Sequence, residues 1–169
     1  TKFDMEYLGW CVIMAAVWML GESKLRQLLL PNASALATMC FVMILLCPVP
    51  ISYYIDTLQH GRHRKTFNIV ENIAFLALLV CSVLHISGIA DYIETLPIAH
   101  GLLALTVVIV FVTIFEDHKK GYFKGSGYTL AGLVFAMLCV LIESLSTYFV
   151  VLISGIFIGI GMTILLVLN

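Results

Sequence analysis

The chain has 169 residues, of which 62% are hydrophobic and only 11% are charged, and its mean hydropathy is +1.07. A soluble domain is about one quarter charged, so this composition excludes a water-soluble globular protein. The net charge of −1 carries no information by itself, because in a membrane protein the placement of the charges matters more than their sum.

Six apolar segments follow one another along the chain, and none alternates polar with apolar residues. About 20 apolar residues cross the hydrocarbon core of a bilayer. Lipid offers no water to backbone groups, and these runs are too long and continuous for barrel strands, so they are predicted as helices. The predicted spans are 5–20, 33–55, 66–86, 98–115, 128–145 and 148–168. The sequence thus predicts an all-α integral membrane protein, a bundle of six transmembrane helices in a single domain over 1–169.

Two of these spans contain residues that affect helix geometry. Pro48 and Pro50 lie near the end of the second span, where we expect them to kink the helix or end it early. In the last span Ser154, Gly155 and Gly159 recur at helical spacing. That spacing is typical of a closely packed helix face, and equally of general glycine use in membrane helices.

The five cysteines lie singly inside apolar runs and form no C-x-x-C motif: Cys11, Cys40, Cys47, Cys81 and Cys139. We interpret them as small hydrophobic residues, because a disulfide framework would show paired spacing.

Basic residues are concentrated in alternate loops, which predicts the orientation of the chain. Seven of the nine Lys and Arg residues lie at Lys2 or in the loops "DTLQHGRHRK" and "EDHKKGYFKGSG". The positive-inside rule places both loops and both ends of the chain in the cytoplasm. The expected location of the protein is the plasma (cytoplasmic) membrane. The expected cytoplasmic face consists of Arg62, Arg64, Lys65, Lys119 and Lys120. These residues would contact anionic lipid headgroups, so the lipid bilayer is the expected partner and nucleic acid is not.

The polar stretch "HISGIADYIETLPIAHG" separates the third and fourth spans and is predicted to face outward. We expect a solvated elbow between two helices, because Gly88 can end one helix and Pro97 suits the start of the next. His85 and His100 could be neighbours across this elbow. Interfacial hydrogen bonding, a pH-responsive or ligand-contacting role, and haem or metal ligation stay open for them. A metal site would need further ligands, so no metal and no cofactor is expected.

The acidic residues Glu71 and Glu143 lie inside the predicted spans, where a charge is costly. Glu71 is about one turn into the third span, and we expect it to lie near Arg64 and Lys65, favoured by the start of the helix. A coupling role for Glu71 stays open. Glu143 lies near the outer end of the fifth span and is expected to be interfacial. No motif for a phosphate loop, a nucleophilic serine or an intramembrane metalloenzyme is present, so this segment is not expected to be an enzyme.

Three stretches resemble the membrane part of bacterial seven-transmembrane receptors with diverse intracellular signalling modules, in particular the form attached to GGDEF diguanylate cyclase domains. They are "YLGWCVIMAAVWMLGESKLRQLLLPN", "LLCPVPISYYI" and "HISGIADYIETLPIAHGLL". The most specific mark is "GIADYIETLPIAH", and the resemblance covers nearly the whole chain. The chain lacks an initiator methionine and ends within an apolar run, so we expect a fragment that begins after the first family helix.

The resemblance implies a sensory and signal-transmitting transmembrane module that passes an outer stimulus to a cytoplasmic output domain. The full-length protein would add an ectodomain and a diguanylate cyclase, which makes cyclic di-GMP, or a kinase domain, and would work as a homodimer. The candidate sensing residues are Asp91, Glu94, Thr95 and His100, with Trp18 and Glu22 nearby.

Two other functions are compatible with the sequence. A small membrane transporter or channel subunit would require polar groups that converge at mid-depth and interrupted helices. A membrane haem or electron-transfer protein would depend on His85 and His100 alone.

Overall fold

The computed structural model describes residues 2–22, 33–122, 127–146 and 156–168, and every secondary-structure element within these ranges is a helix. In chain order the helices are α1 Lys2–Glu22, α2 Ala33–Leu46, α3 Pro48–Leu58, α4 Arg64–Ile86, α5 Tyr92–Lys119, α6 Gly127–Ser146 and α7 Ile156–Leu168. For these ranges the predicted all-α class is confirmed.

Among the described residues, four helical segments are long and apolar enough to cross a membrane. They are Ser34–Leu58, which combines α2 and α3, and Arg64–Ile86, Tyr92–Lys119 and Gly127–Ser146. The apolar parts described for α1 and α7, Glu6–Met19 and Ile156–Leu168, are shorter. The six predicted spans are therefore confirmed in part, and the set of apolar helices fits a multi-pass membrane protein.

The proline pair interrupts the second span without ending it. Pro48 and Pro50 have no N–H to donate to the carbonyls four residues earlier, so two helical hydrogen bonds are missing. Cys47 nevertheless keeps helical torsion angles, φ −52° and ψ −36°, and its N–H bonds the Met43 carbonyl at 3.0 Å. The helix resumes at once and continues to Leu58, so of the two expected effects, a kink or an early end, the early end is not observed.

The helix after the polar stretch begins earlier than predicted. α5 starts at Tyr92 rather than at 98, because Asp91 adopts an extended conformation as its N-cap. Glu94 Oε2 accepts a hydrogen bond from the Asp91 backbone N–H at 3.0 Å, as in a capping box. Pro97 therefore lies inside α5 instead of at its start. The elbow is shorter than expected and turns at Gly88, where φ is +68°.

α5 packs against four helices of the described bundle, α2, α3, α4 and α6. α1 packs against α2, α3 and α7, and α6 packs most extensively against α7. The outer face of α4 is the most open, with Leu76 and Leu79 both 61% exposed. An apolar face of this kind fits contact with lipid tails.

The α6–α7 contact is close because α7 carries a glycine where the two backbones approach. A Cβ atom added to Gly161 would lie 3.0 Å from Cys139 Cβ and 3.1 Å from Ala136 Cα. Small residues allow this approach in membrane helices. All five cysteines of the chain are free thiols, and Cys139 belongs to this contact.

The predicted small-residue pattern lies on the helix that packs closely against α6. The glycine at that contact is Gly161, which the pattern did not include. Gly159 points toward α1, where an added Cβ would meet Met19 Cε at 3.0 Å. Ser154 and Gly155 lie outside the described residues.

Candidate functional site

A pocket, which we call the interior pocket, lies among α1, α2, α3, α5, α6 and α7. Its wall is mostly apolar and includes three methionines: Met14, Met43 and Met162. Three polar side chains also line it: His100, Glu143 and Ser144. The interior pocket lies toward the end of the bundle that contains the α4–α5 elbow, because His100 is in the third turn of α5 and Glu143 is in the last turn of α6.

Glu143 faces the inside of the bundle rather than the membrane interface. Its position one turn before the end of α6 is close to the expected depth, but only 2% of the residue is exposed. It lies one turn from Cys139 on the same side of α6, the side that packs against α7. The expected depth near the outer end of the helix agrees with this position, whereas the burial of Glu143 inside the bundle was not predicted.

A second space continues from the interior pocket toward the opposite end of the bundle. The two spaces share lining residues Ile51, Val140, Ile158 and Met162. Beyond these, the second space is lined mainly by apolar side chains, among them Leu8, Leu133 and Leu165. The two spaces together follow the bundle axis.

At the opposite end, Arg64 joins two acidic side chains of different helices. Arg64 Nη1 lies 3.6 Å from Asp56 Oδ2 and 3.4 Å from Glu71 Oε1. The guanidinium also lies 4.1 Å from the centre of the Tyr53 ring. The expected proximity of Glu71 to Arg64 is thus observed. Arg64 also pairs with Asp56 of α3, which was not predicted from the sequence.

Asp117 in α5 links that helix to the turn between α3 and α4. Its carboxylate is 2% exposed, with Arg62 Nε 4.0 Å from Oδ1 and His63 Nε2 3.4 Å from Oδ2. Arg62 also lies 3.8 Å from the centre of the Tyr122 ring. We call these two neighbouring sets of contacts the charged cluster, which consists of Asp56, Arg62, His63, Arg64, Glu71 and Asp117.

The residues predicted to form one basic face therefore divide into two kinds. Arg62 and Arg64 are held by largely buried carboxylates, whereas Lys65, Lys119 and Lys120 are exposed. Only the three lysines are free to approach anionic headgroups without breaking an ion pair with a buried carboxylate.

One face of α3 carries buried polar residues that the sequence reading missed. Ser52, Asp56 and Gln59 follow one another at i, i+4 and i+7, and all three are buried. Neither polar atom of the Gln59 side chain has a hydrogen-bond partner among the described residues. The signal in the sequence was the recurrence of polar residues on one face of an otherwise apolar helix.

Two of the six predicted sensing residues, Trp18 and His100, line the interior pocket together. His85 does not join them. Its ring stacks on Tyr92 with centroids 4.0 Å apart, and its Nδ1 lies 3.5 Å from Asp91 Oδ1. No group of three or more His, Cys, Asp or Glu side chains in the described ranges is arranged to hold a metal ion.

The other predicted sensing residues lie elsewhere. Asp91 and Glu94 are exposed at the start of α5, and Thr95 is buried, with its Oγ1 donating to the Tyr92 carbonyl at 3.2 Å. These three residues shape the N-terminus of α5 instead of lining the pocket. Glu22 ends α1, and its side chain is outside the described part of the chain.

No protein-family model matches the chain, and no curated protein or solved structure shows significant similarity to it. The features of the chain that bear on its function are therefore the interior pocket, the charged cluster and the helix between them. α5 carries His100 in the pocket and Asp117 in the cluster, seventeen positions apart. At the α-helical rise this is a separation of about 25 Å.

Proposed function

We propose that the chain is the sensory and signal-transmitting transmembrane module of a bacterial receptor, which passes an outer stimulus to a cytoplasmic output domain. One observation carries the proposal: a single helix, α5, lines the interior pocket with His100 and enters the charged cluster with Asp117. A displacement of α5 at the pocket would therefore alter the contacts of Asp117 at the other end. Packed helices respond to such a displacement by changing between discrete arrangements.

The charge distribution supports the orientation that this function needs. The charged cluster and the exposed lysines lie at the same end of the bundle, which the positive-inside rule assigns to the cytoplasm. The interior pocket then lies in the outer half of a six-helix bundle in the plasma membrane. A stimulus at the pocket would act at one membrane face and be detected at the other.

The resemblance supports the nature of the output. In the proposed receptor, a diguanylate cyclase or kinase domain follows the last helix, an ectodomain rests on the outer loops, and the full-length protein acts as a homodimer. The stimulus must favour one helix packing over another, and coupling of this kind is typically worth about 1–3 kcal/mol.

Replacement of Asp117 by asparagine is expected to change the output of the full-length receptor at least fivefold, because Arg62 and His63 lose their shared negative partner. Output is measured as cyclic di-GMP produced by the protein in liposomes. The matched control is Glu116→Gln, since Glu116 is the adjacent residue and its side chain is 54% exposed. Equal output from both variants, or a full-length chain without a signalling domain, would contradict the receptor proposal.

A transporter or channel subunit is the second candidate, and one observation favours it. The interior pocket combines two buried ionisable side chains, His100 and Glu143, with the helix interruption at Cys47. Buried ionisable groups beside interrupted helices are typical of transport sites. Proteoliposomes separate the two functions: a transporter would dissipate a pH gradient or a substrate gradient, and Glu143→Gln would abolish that flux. A receptor module would leave both gradients intact.

A further inference from the structure

The interior pocket and the second space together have the shape of a chain rather than of a compact metabolite. On α1 the lining extends from Trp18 in the interior pocket to Leu8 in the second space. Ten helical residues correspond to about 15 Å along the bundle axis. On α7 the lining extends in parallel through Ile158, Met162 and Leu165. A long and mainly apolar space fits a hydrocarbon chain.

The polar groups of the elongated space are distributed unevenly. His100, Glu143 and Ser144 all lie at the elbow end, while the continuation past Val140 is mainly apolar. A ligand that matches this distribution has one polar end and an apolar body. The methionines along the wall, such as Met14 and Met162, are flexible and can adjust to a chain of varying shape.

The side chains at the polar end also restrict the charge of the ligand. The polar end holds one acidic and one basic side chain, Glu143 and His100, so it provides no excess of either charge to pair with a charged head. A charged head of either sign would also lose its hydration on entering a pocket with a largely apolar wall, which is costly unless the charge is fully paired with the protein. A hydroxyl or carbonyl head avoids this cost, because it can donate to or accept from these side chains without carrying a charge.

We propose that the elongated space binds a single-chain, uncharged amphiphile taken up from the bilayer. Its hydroxyl or carbonyl group lies near His100, Glu143 and Ser144, and its hydrocarbon chain extends between α1 and α7. That such a molecule acts as the stimulus rests on the proposed function, whereas its binding does not.

Binding can be measured through Trp18, which lines the interior pocket and is one of two tryptophans in the chain. The variant Trp10→Phe leaves Trp18 as the only tryptophan. In lipid nanodiscs, dodecanol brominated in its chain is expected to quench the fluorescence of Trp18. Part of this quenching should saturate with probe concentration, and unbrominated dodecanol should reverse that part by competing for the site. The variant Trp18→Phe retains Trp10, which is 53% exposed, and should show only unsaturable quenching from probe dissolved in the lipid.

Two variants of α6, combined with Trp10→Phe, locate the site. Val140 lines both spaces, so Val140→Phe fills the middle of the elongated space and is expected to weaken dodecanol binding at least tenfold. Ile142→Phe is the matched control, because Ile142 is 47% exposed on the outer side of the same helix and should leave binding unchanged. If Val140→Phe does not fold, Ile158→Phe tests the same point from α7.

The head group is tested with brominated dodecanoic acid and dodecylamine, which are expected to bind at least tenfold more weakly than the alcohol. Equal affinity for all three would overturn the choice of an uncharged head. Quenching that does not saturate, or that Val140→Phe leaves unchanged, would overturn the site. Saturable binding with no effect on the cyclic di-GMP output of the full-length protein would overturn the role as stimulus and support the site alone. The receptor function is tested separately through Asp117→Asn.

Discussion

Replacement of Arg64 by methionine is expected to lower the free energy of unfolding by about 3 kcal/mol. The side chains of Asp56 and Glu71 are each only 10% exposed, and Arg64 lies within 4 Å of both. Methionine keeps the length of the side chain but removes the charge, so two largely buried carboxylates lose their shared cation. The expected loss is at the lower end of the range for a broken buried ion pair, because the Arg64 side chain is itself 35% exposed and partly screened.

The loss is measured by equilibrium unfolding in mixed micelles, with Lys65→Met as the matched control. Lys65 is the next residue on α4 and is exposed, so its replacement should change the stability by less than about 0.5 kcal/mol. Combining Arg64→Met with Asp56→Asn and Glu71→Gln should restore most of the stability, because no buried charge is then unpaired. Equal losses for Arg64→Met and Lys65→Met would show that the charged cluster contributes little to folding.

The sequence predicted the presence of helices well because long apolar runs in lipid leave few alternatives for the backbone. The third span, predicted as 66–86 and observed as Arg64–Ile86, is bounded by a basic turn and by Gly88, which mark its ends clearly. The start of α5 was missed because its first turn is polar and was interpreted as a loop. The D-x-x-E spacing of Asp91 and Glu94 was the available signal for a capped helix.

The orientation of side chains around a helix axis was harder to predict than their depth. α6 is apolar on nearly all sides, so its sequence has no polar face to show that Glu143 points inward. Only the packing of α7 against α6 determines that direction. The pairing of Glu71 with Arg64 could be expected because both lie on one helix. The pairing of Arg62 with Asp117 joins residues far apart in the sequence, and no local pattern indicates it.

Replacement of Gly161 by leucine is expected to lower the stability of the bundle by about 3 kcal/mol, the upper part of the range for overpacking. The new Cβ would lie 3.1 Å from Ala136 Cα, and backbone cannot move aside as a flexible side chain can. α7 must then separate from α6, or the pair must fail to form. Because α7 lines the elongated space through Ile158 and Met162, the variant should also weaken binding of the dodecanol probe.

Gly159→Leu is the matched control for this change, since it places the same side chain two residues away on the same helix. The Cβ at position 159 would also meet an atom at 3.0 Å, but that atom is the terminal methyl group of Met19, which can rotate away. The midpoint of thermal unfolding in detergent should therefore fall several degrees further for Gly161→Leu than for Gly159→Leu. Equal shifts would mean that the Gly161 contact does not hold α7 against α6. The packing of α6 against α7 would then differ from the one described. That difference would change both the pocket wall formed by α7 and the proposed connection of α7 to an output domain.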